Sequence, residues 1–208
     1  MSPQQVADIT AYLIATKSPK ESWGDPKKGW HLESDGARLA IRLDGAEVLS
    51  YYFKHEETKR PFFAHVKTPT GIQVTRNFPP IEGKDPTDHG YMHPGLSLGS
   101  SNISGATFWH NNRGGVVVSD GIVEAPVVTE TSASFTVKNR YLAEDGSMVC
   151  EETASYHLSK NDDGYLIRME NAFRSDKAIT FGVKEEMGMA LRVASPIRVK
   201  KGKGGIAS

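Results

Sequence analysis

Between Ala37 and Val199, apolar and polar residues alternate in short runs, each closed by Gly, Asp, Asn or Pro. A two-residue period predicts β-strands, because successive side chains of an extended chain point to opposite faces. The runs are Ala37–Leu43, Val48–Phe53, Pro61–Val66, Ile72–Arg76, Leu96–Leu98, Ala106–Trp109, Val116–Val118, Ile122–Thr129, Ser134–Leu142, Met148–Leu158, Tyr165–Phe173, Ile179–Val183, Met187–Val193 and Ile197–Val199. They are rich in β-branched and aromatic residues, which pack well on a pleated surface. Asp44-Gly45, Asp145-Gly146 and Asp163-Gly164 predict tight hairpin turns. Many short strands with turn residues between them predict an all-β domain, an antiparallel β-sandwich over residues 37–208.

The N-terminus follows a different rule. Val6, Ile9 and Leu13, flanked by Tyr12, recur at helical spacing. Ser2 suits the cap, Pro3 the first turn and Gln5 the third position of a capping box, so residues 3–16 are predicted as one amphipathic helix. Residues 1–17 thus form an appendage. The polar stretch beginning at Ser18, with its prolines, glycines and charges, predicts a linker over 18–36. At the other end, strand-like segments give way to Gly202-Lys203-Gly204-Gly205 without a closing element. The expectation is a fragment: a helix with few contacts to the β-domain, and an unpaired sheet edge near residues 186–199.

Charge narrows the functional classes. The 208 residues carry 25 Lys plus Arg and 25 Asp plus Glu, a formal net charge of zero. That excludes a broad electrostatic footprint for nucleic acid or an anionic membrane. No run approaches the roughly 18–20 apolar residues of a membrane span, and no basic-then-apolar signal pattern opens the chain. The single cysteine, Cys150, cannot form an internal disulfide or a thiolate-rich metal site, and its alternating run predicts a buried strand thiol.

Candidate chemistry concentrates between Pro86 and Trp109. His89 and His93 sit among Gly90, Pro94 and Gly95, which place both imidazoles on a bend between apolar strands. Asp88 precedes them. Asp88, His89 and His93 are candidate metal ligands, or Asp88 fixes a histidine tautomer. The alternative is a loop whose histidines bond backbone around a tight turn. Glu185 and Glu186 are adjacent on strand-like sequence, so one points inward and becomes a candidate acid or base. The alternative there is an ion pair with Arg192, Arg76 or Lys184. Arg76 is a candidate for binding an anionic group. Trp109 and His110 are candidates for sugar stacking if exposed, and core residues otherwise. His65 reads as a core or edge histidine.

Two resemblances join these readings. SPQQVADITAYLIATK, near the N-terminus, resembles the last helix of class I cytochrome c domains. The stretches 60–80, 87–109 and 181–197 resemble a bacterial family labelled methane oxygenase PmoA, also described as a domain of unknown function, some of whose members are fused to cytochrome c domains. The resemblance implies an exported, periplasmic protein. It also implies haem only in a missing upstream domain, with no cofactor bound by this part. It does not imply methane oxidation, since true particulate methane monooxygenase subunits span the membrane and no segment here does. The large antiparallel sheets with His and Glu are similar in look to galactose mutarotase-like sandwiches, a fold-level analogy. The expectation is a carbohydrate-active or carbohydrate-binding domain with a small-molecule or carbohydrate ligand. In it His89 or His93 donates a proton and Glu185 or Glu186 accepts one. The alternatives are a metal-dependent or redox protein and a non-catalytic interaction module.

Overall fold

The computed structural model describes residues 20–183 and 186–199. The predicted helix at 3–16, Glu185 and the glycine-rich end lie outside the described residues. Twelve strands follow in order: β1 (Glu21–Asp25), β2 (Lys28–Ser34), β3 (Arg38–Leu43), β4 (Ala46–Tyr52), β5 (Phe62–Ala64), β6 (Leu96–Ser100), β7 (Val116–Ile122), β8 (Val127–Val128), β9 (Ser132–Leu142), β10 (Met148–Asn161), β11 (Gly164–Arg174) and β12 (Met187–Leu191). They form two antiparallel sheets, one of seven strands in the order β1-β2-β3-β4-β5-β6-β12 and one of five built on β11-β10-β9-β7, with β8 against β9. This is the all-β sandwich that the alternation predicts.

The alternation sets the packing. In β9, Ala133, Phe135, Val137, Asn139 and Tyr141 are buried, and in β10, Cys150, Glu152, Ala154, Tyr156 and Leu158 are buried. From the other sheet, Trp30, Leu32, Leu39, Ile41, Leu49, Tyr51 and Phe63 complete one core with Phe135, Val137, Tyr156 and Leu158. The β3–β4 turn has Asp44 and Gly45 both at positive φ (50° and 83°), the mirror-image turn that matches strand twist. In the β10–β11 turn, Asn161 pairs with Gly164, so the two turn residues are Asp162 and Asp163, one position earlier than the sequence suggested.

Residues 18–36 are not a linker throughout. Residues 21–34 are β1 and β2, with Trp30 and Leu32 fully buried in the core. Their polar composition reflects an edge strand: β1 is mostly exposed and, among the described residues, pairs only with β2. Four other predicted segments are not strands. Residues 72–76 keep single bridges, Gln73 to Lys67 and Thr75 to Val193, and Pro79-Pro80 end any pairing because proline lacks the ladder donor. Residues 106–109 and 179–183 also make isolated bridges only, through Ile103. Residues 195–197 form a 3-10 turn beginning Ser195-Pro196. Among the described residues β12 pairs only with β6, and beyond it Val193 bridges Thr75.

Candidate functional site

The loop from Pro86 to Gly95 is built around one side chain. Arg76 is 1% exposed, and its guanidinium donates to five loop carbonyls: Pro86 O and Asp88 O at 2.9 Å from Nη1, and His89 O, Gly90 O and His93 O at 3.2, 3.1 and 2.9 Å from Nη2. A planar fork of donors suits this task, since it reaches several carbonyls of a tight loop at once. The loop closes on itself through His93 N–H to His89 O at 2.9 Å. A second buried arginine, Arg60, donates to Trp109 O at 2.6 Å and to Met92 O, and lies over the Trp109 ring at 5.0 Å. Burial draws its pKa down to about 10.

The loop and Trp109 lie on the side of the larger sheet away from the main core, while Arg60 lines a space between the sheets. Leu96 of β6 belongs to that core, and Gly99, three residues on, faces the other way. There Trp109 sits where a Gly99 Cβ would be, 2.0 Å from Cζ3. Tyr91 turns to an aromatic cluster of Phe62, Phe78, Tyr52 and His55, with Thr58 Oγ1 donating to Tyr91 O at 2.8 Å.

His89 and His93 face each other at 5.3 Å between ring centroids, and His93 stands edge-on to Trp109 at 5.3 Å. Half-burial, then Arg192, with smaller contributions from His89, Arg60 and Arg76, hold the His93 pKa at about 4. His93 is therefore a neutral imidazole at neutral pH, a proton acceptor and not the donor envisaged from sequence. His89 is exposed, with φ at 51°, a left-handed conformation that non-glycine residues adopt at a cost. Its Nδ1 lies 3.4 Å from Asp88 Oδ2. An ionised carboxylate only accepts, so Nδ1 carries the proton. Arg192 Nη2 donates to both Asp88 oxygens at 3.2 and 3.1 Å. Burial raises the Asp88 pKa, but Arg192, His89 and Arg76 outweigh it and bring it below the usual carboxylate value.

The other candidates fall differently. Both terminal nitrogens of Arg76 are taken up by backbone carbonyls and position the loop, so it is no anion receptor. Trp109 is 4% exposed and forms the floor under His93, so it offers no stacking face. His110 is half-buried, with its Nε2 2.9 Å from Arg113 Nη2. Glu186 is exposed, has φ at 68° and acts electrostatically on Arg60. His65, half-buried at φ 56°, approaches Tyr52 Oη at 3.4 Å. Among the described residues no three His, Cys, Asp or Glu side chains cluster so as to hold a metal ion. The Asp88, His89 and His93 set does not fit one: Asp88 is committed to Arg192 and His89, and the charged neighbours of His93 are cations that oppose a dication.

Sequence reasoning missed Arg60 and a second polar centre. Glu152, 3% exposed, accepts from Asn139 Nδ2 at 2.8 Å, Asn171 Nδ2 at 2.7 Å and Tyr141 Oη at 3.3 Å. Burial raises its pKa against those bonds. A signal existed: Glu152 and Asn139 occupy inward positions of two otherwise apolar alternations, and they are cross-strand partners. Cys150 is buried as predicted, and burial with Glu152 nearby lifts its thiol to about 11, which removes it as a nucleophile.

Fold and site together define a two-sheet antiparallel β-sandwich that carries an arginine-braced histidine loop on the outer side of its larger sheet. Residues 38–208 match the model of the family of unknown function DUF6807, and the chain belongs to that family. This corrects both resemblances drawn from sequence. The matched family is DUF6807, with no PmoA and no cytochrome c match, although all three PmoA-like stretches lie within the matched span. The expectation of an upstream haem rested on those resemblances and falls with them. No curated protein and no solved structure matches the chain.

Proposed function

We propose that the chain is a carbohydrate-binding domain, with the Asp88, His89, His93 and Arg192 surface as its binding site. One observation carries the reading: two histidines are held side by side, their rings tilted 45° at 5.3 Å between centroids, by a buried arginine that takes five loop carbonyls, with His89 in a strained backbone conformation. Rigid support under exposed polar side chains is the mark of a preorganised site. The surface mixes a donor (Arg192) with acceptors (Asp88 and neutral His93). Sugar hydroxyls donate and accept at once, so a polyol matches both sets. Neutral His93 is also suited to taking a hydroxyl proton, which makes proton transfer on a bound sugar the reaction class if turnover occurs.

The test is calorimetric titration of the protein with neutral and acidic mono- and oligosaccharides, repeated with His89→Gln and His93→Gln. The expected result is saturable binding of one sugar class, weakened at least about tenfold in each variant, which corresponds to roughly 1.4 kcal/mol. Absence of binding across all classes, or binding indifferent to both variants, overturns it. A product peak on incubation separates catalysis from binding alone.

A further inference from the structure

Between the sheets lies a cavity of about 10 Å³, lined among others by Arg60, Leu98, Asn139, Tyr141, Glu152 and Tyr156. Two atoms of its lining residues are buried without a hydrogen-bond partner: the donor Arg60 Nε and the acceptor Asn139 Oδ1, on side chains that are each 2% exposed. Neither is an accident of orientation. The other guanidinium nitrogens of Arg60 are held by Trp109 O and Met92 O, which fixes its plane. Asn139 directs Nδ2 at Glu152. Turning the amide over would put two acceptors against each other if Glu152 is ionised, so Oδ1 is the atom left over.

An orphan donor and an orphan acceptor beside one small void specify an occupant. Buried polar atoms without partners are costly, and a single water that both donates and accepts satisfies the two together. The volume is at the lower limit for one water and too small for anything larger. Charge gives the same answer. Arg60 opposes a cation and Glu152 opposes an anion, which leaves a neutral molecule.

We propose that this cavity is a binding site for one ordered water, accepting from Arg60 Nε–H and donating to Asn139 Oδ1. The water completes a hydrogen-bonded chain from Met92 and Trp109, through Arg60 and Asn139, to Glu152. The clamp on the histidine loop is thereby tied to the acid buried in the sandwich. This site is separate from the proposed sugar surface and stands whether or not that surface binds sugar.

The test is a crystal structure of the 208-residue protein at a resolution that resolves ordered water, with water-to-protein magnetisation transfer measured in solution. One water within hydrogen-bonding distance of both atoms, with a long-lived water signal at the Asn139 side-chain amide, is expected. A dry cavity, a direct Arg60–Asn139 or Arg60–Glu152 bond, or an Asn139 amide turned over would overturn the proposal. Arg60→Lys keeps the charge and removes Nε–H. It should abolish the signal while the three direct bonds of Glu152 persist, and a signal unchanged in that variant would remove Arg60 as the donor. If the variant fails to fold, the wild-type measurement decides alone.

Discussion

Arg192 and Asp88 stand 104 residues apart in sequence, yet one guanidinium nitrogen of Arg192 contacts both Asp88 oxygens, at 3.2 and 3.1 Å. With the Asp88 side chain 56% exposed, the pair itself contributes little to stability, typically under about 1 kcal/mol. Its consequence is electrostatic. Arg192 is the strongest charged neighbour holding the His93 pKa down, after burial. Arg192→Gln should therefore raise the His93 pKa from about 4 toward its ordinary value of 6.5. Titration of the His93 ring followed by NMR reads this directly, and an unmoved midpoint would contradict the assignment.

The same residue gives a pH dependence of stability. His93 has a folded pKa of about 4 against an ordinary 6.5, so the unfolded chain takes up the proton first. Stability from this group is fully present above about pH 6.5 and is lost as pH falls from there towards 4. His93→Gln has no such loss. Thermal midpoints measured from pH 7 down to pH 4 should fall less steeply in the variant, and equal slopes would show that His93 is not held neutral.

Arg76→Met should be the most damaging change at the loop. It removes five hydrogen bonds to loop carbonyls, of which His89 O keeps the His93 N–H, and those that water cannot reach stay unsatisfied. A loss of about 3 kcal/mol is expected in denaturant unfolding. Hydrogen exchange should localise the damage to residues 86–95, whereas uniform loss of protection across both sheets would show a purely global role.

Gly99→Ala tests the floor. The added Cβ would lie 2.0 Å from Trp109 Cζ3, so the indole must move, and His93 rests edge-on against it. Overpacking of this kind costs about 1–3 kcal/mol. His93 ring resonances should shift with it, while Gly164→Ala, where no atom lies within 4 Å of the new Cβ, should leave them in place.

The last strand of the larger sheet, β12, makes a prediction about association. Met189 and Leu191 on β12 are 71% and 53% exposed, and no lysine or proline guards the strand. Met189→Lys with Leu191→Lys should lower light scattering at high protein concentration with little change in thermal midpoint. Unchanged scattering would clear this edge of any part in association.

Period-two alternation and turn chemistry were enough to read the hairpins. Runs such as Ser134–Leu142 and Met148–Leu158 carry their burial pattern in the residues themselves, because one face must be apolar to pack. The histidine loop was legible as a candidate because glycine and proline concentrate there. The strand reading failed at 72–76 and 106–109, where short apolar runs serve bridges and packing under a loop. A few residues of pattern do not distinguish those uses. It failed also at 21–34, where a polar edge strand reads like a linker.

The sequence by itself determined the class of fold, the buried thiol at Cys150 and the place of the histidines on a bend. These depend on local conformational preference and on which face of a strand is apolar. Only the tertiary structure decided what the polar residues do. Arg76 became a brace, Trp109 a floor, Arg60 a clamp and Glu152 a buried acid, because each role is set by groups brought near from distant positions. Asp88 meets Arg192 across 104 residues and Arg60 meets Trp109 across 49. A pKa or a guanidinium held by loop carbonyls is a property of such neighbours, and no local pattern records them.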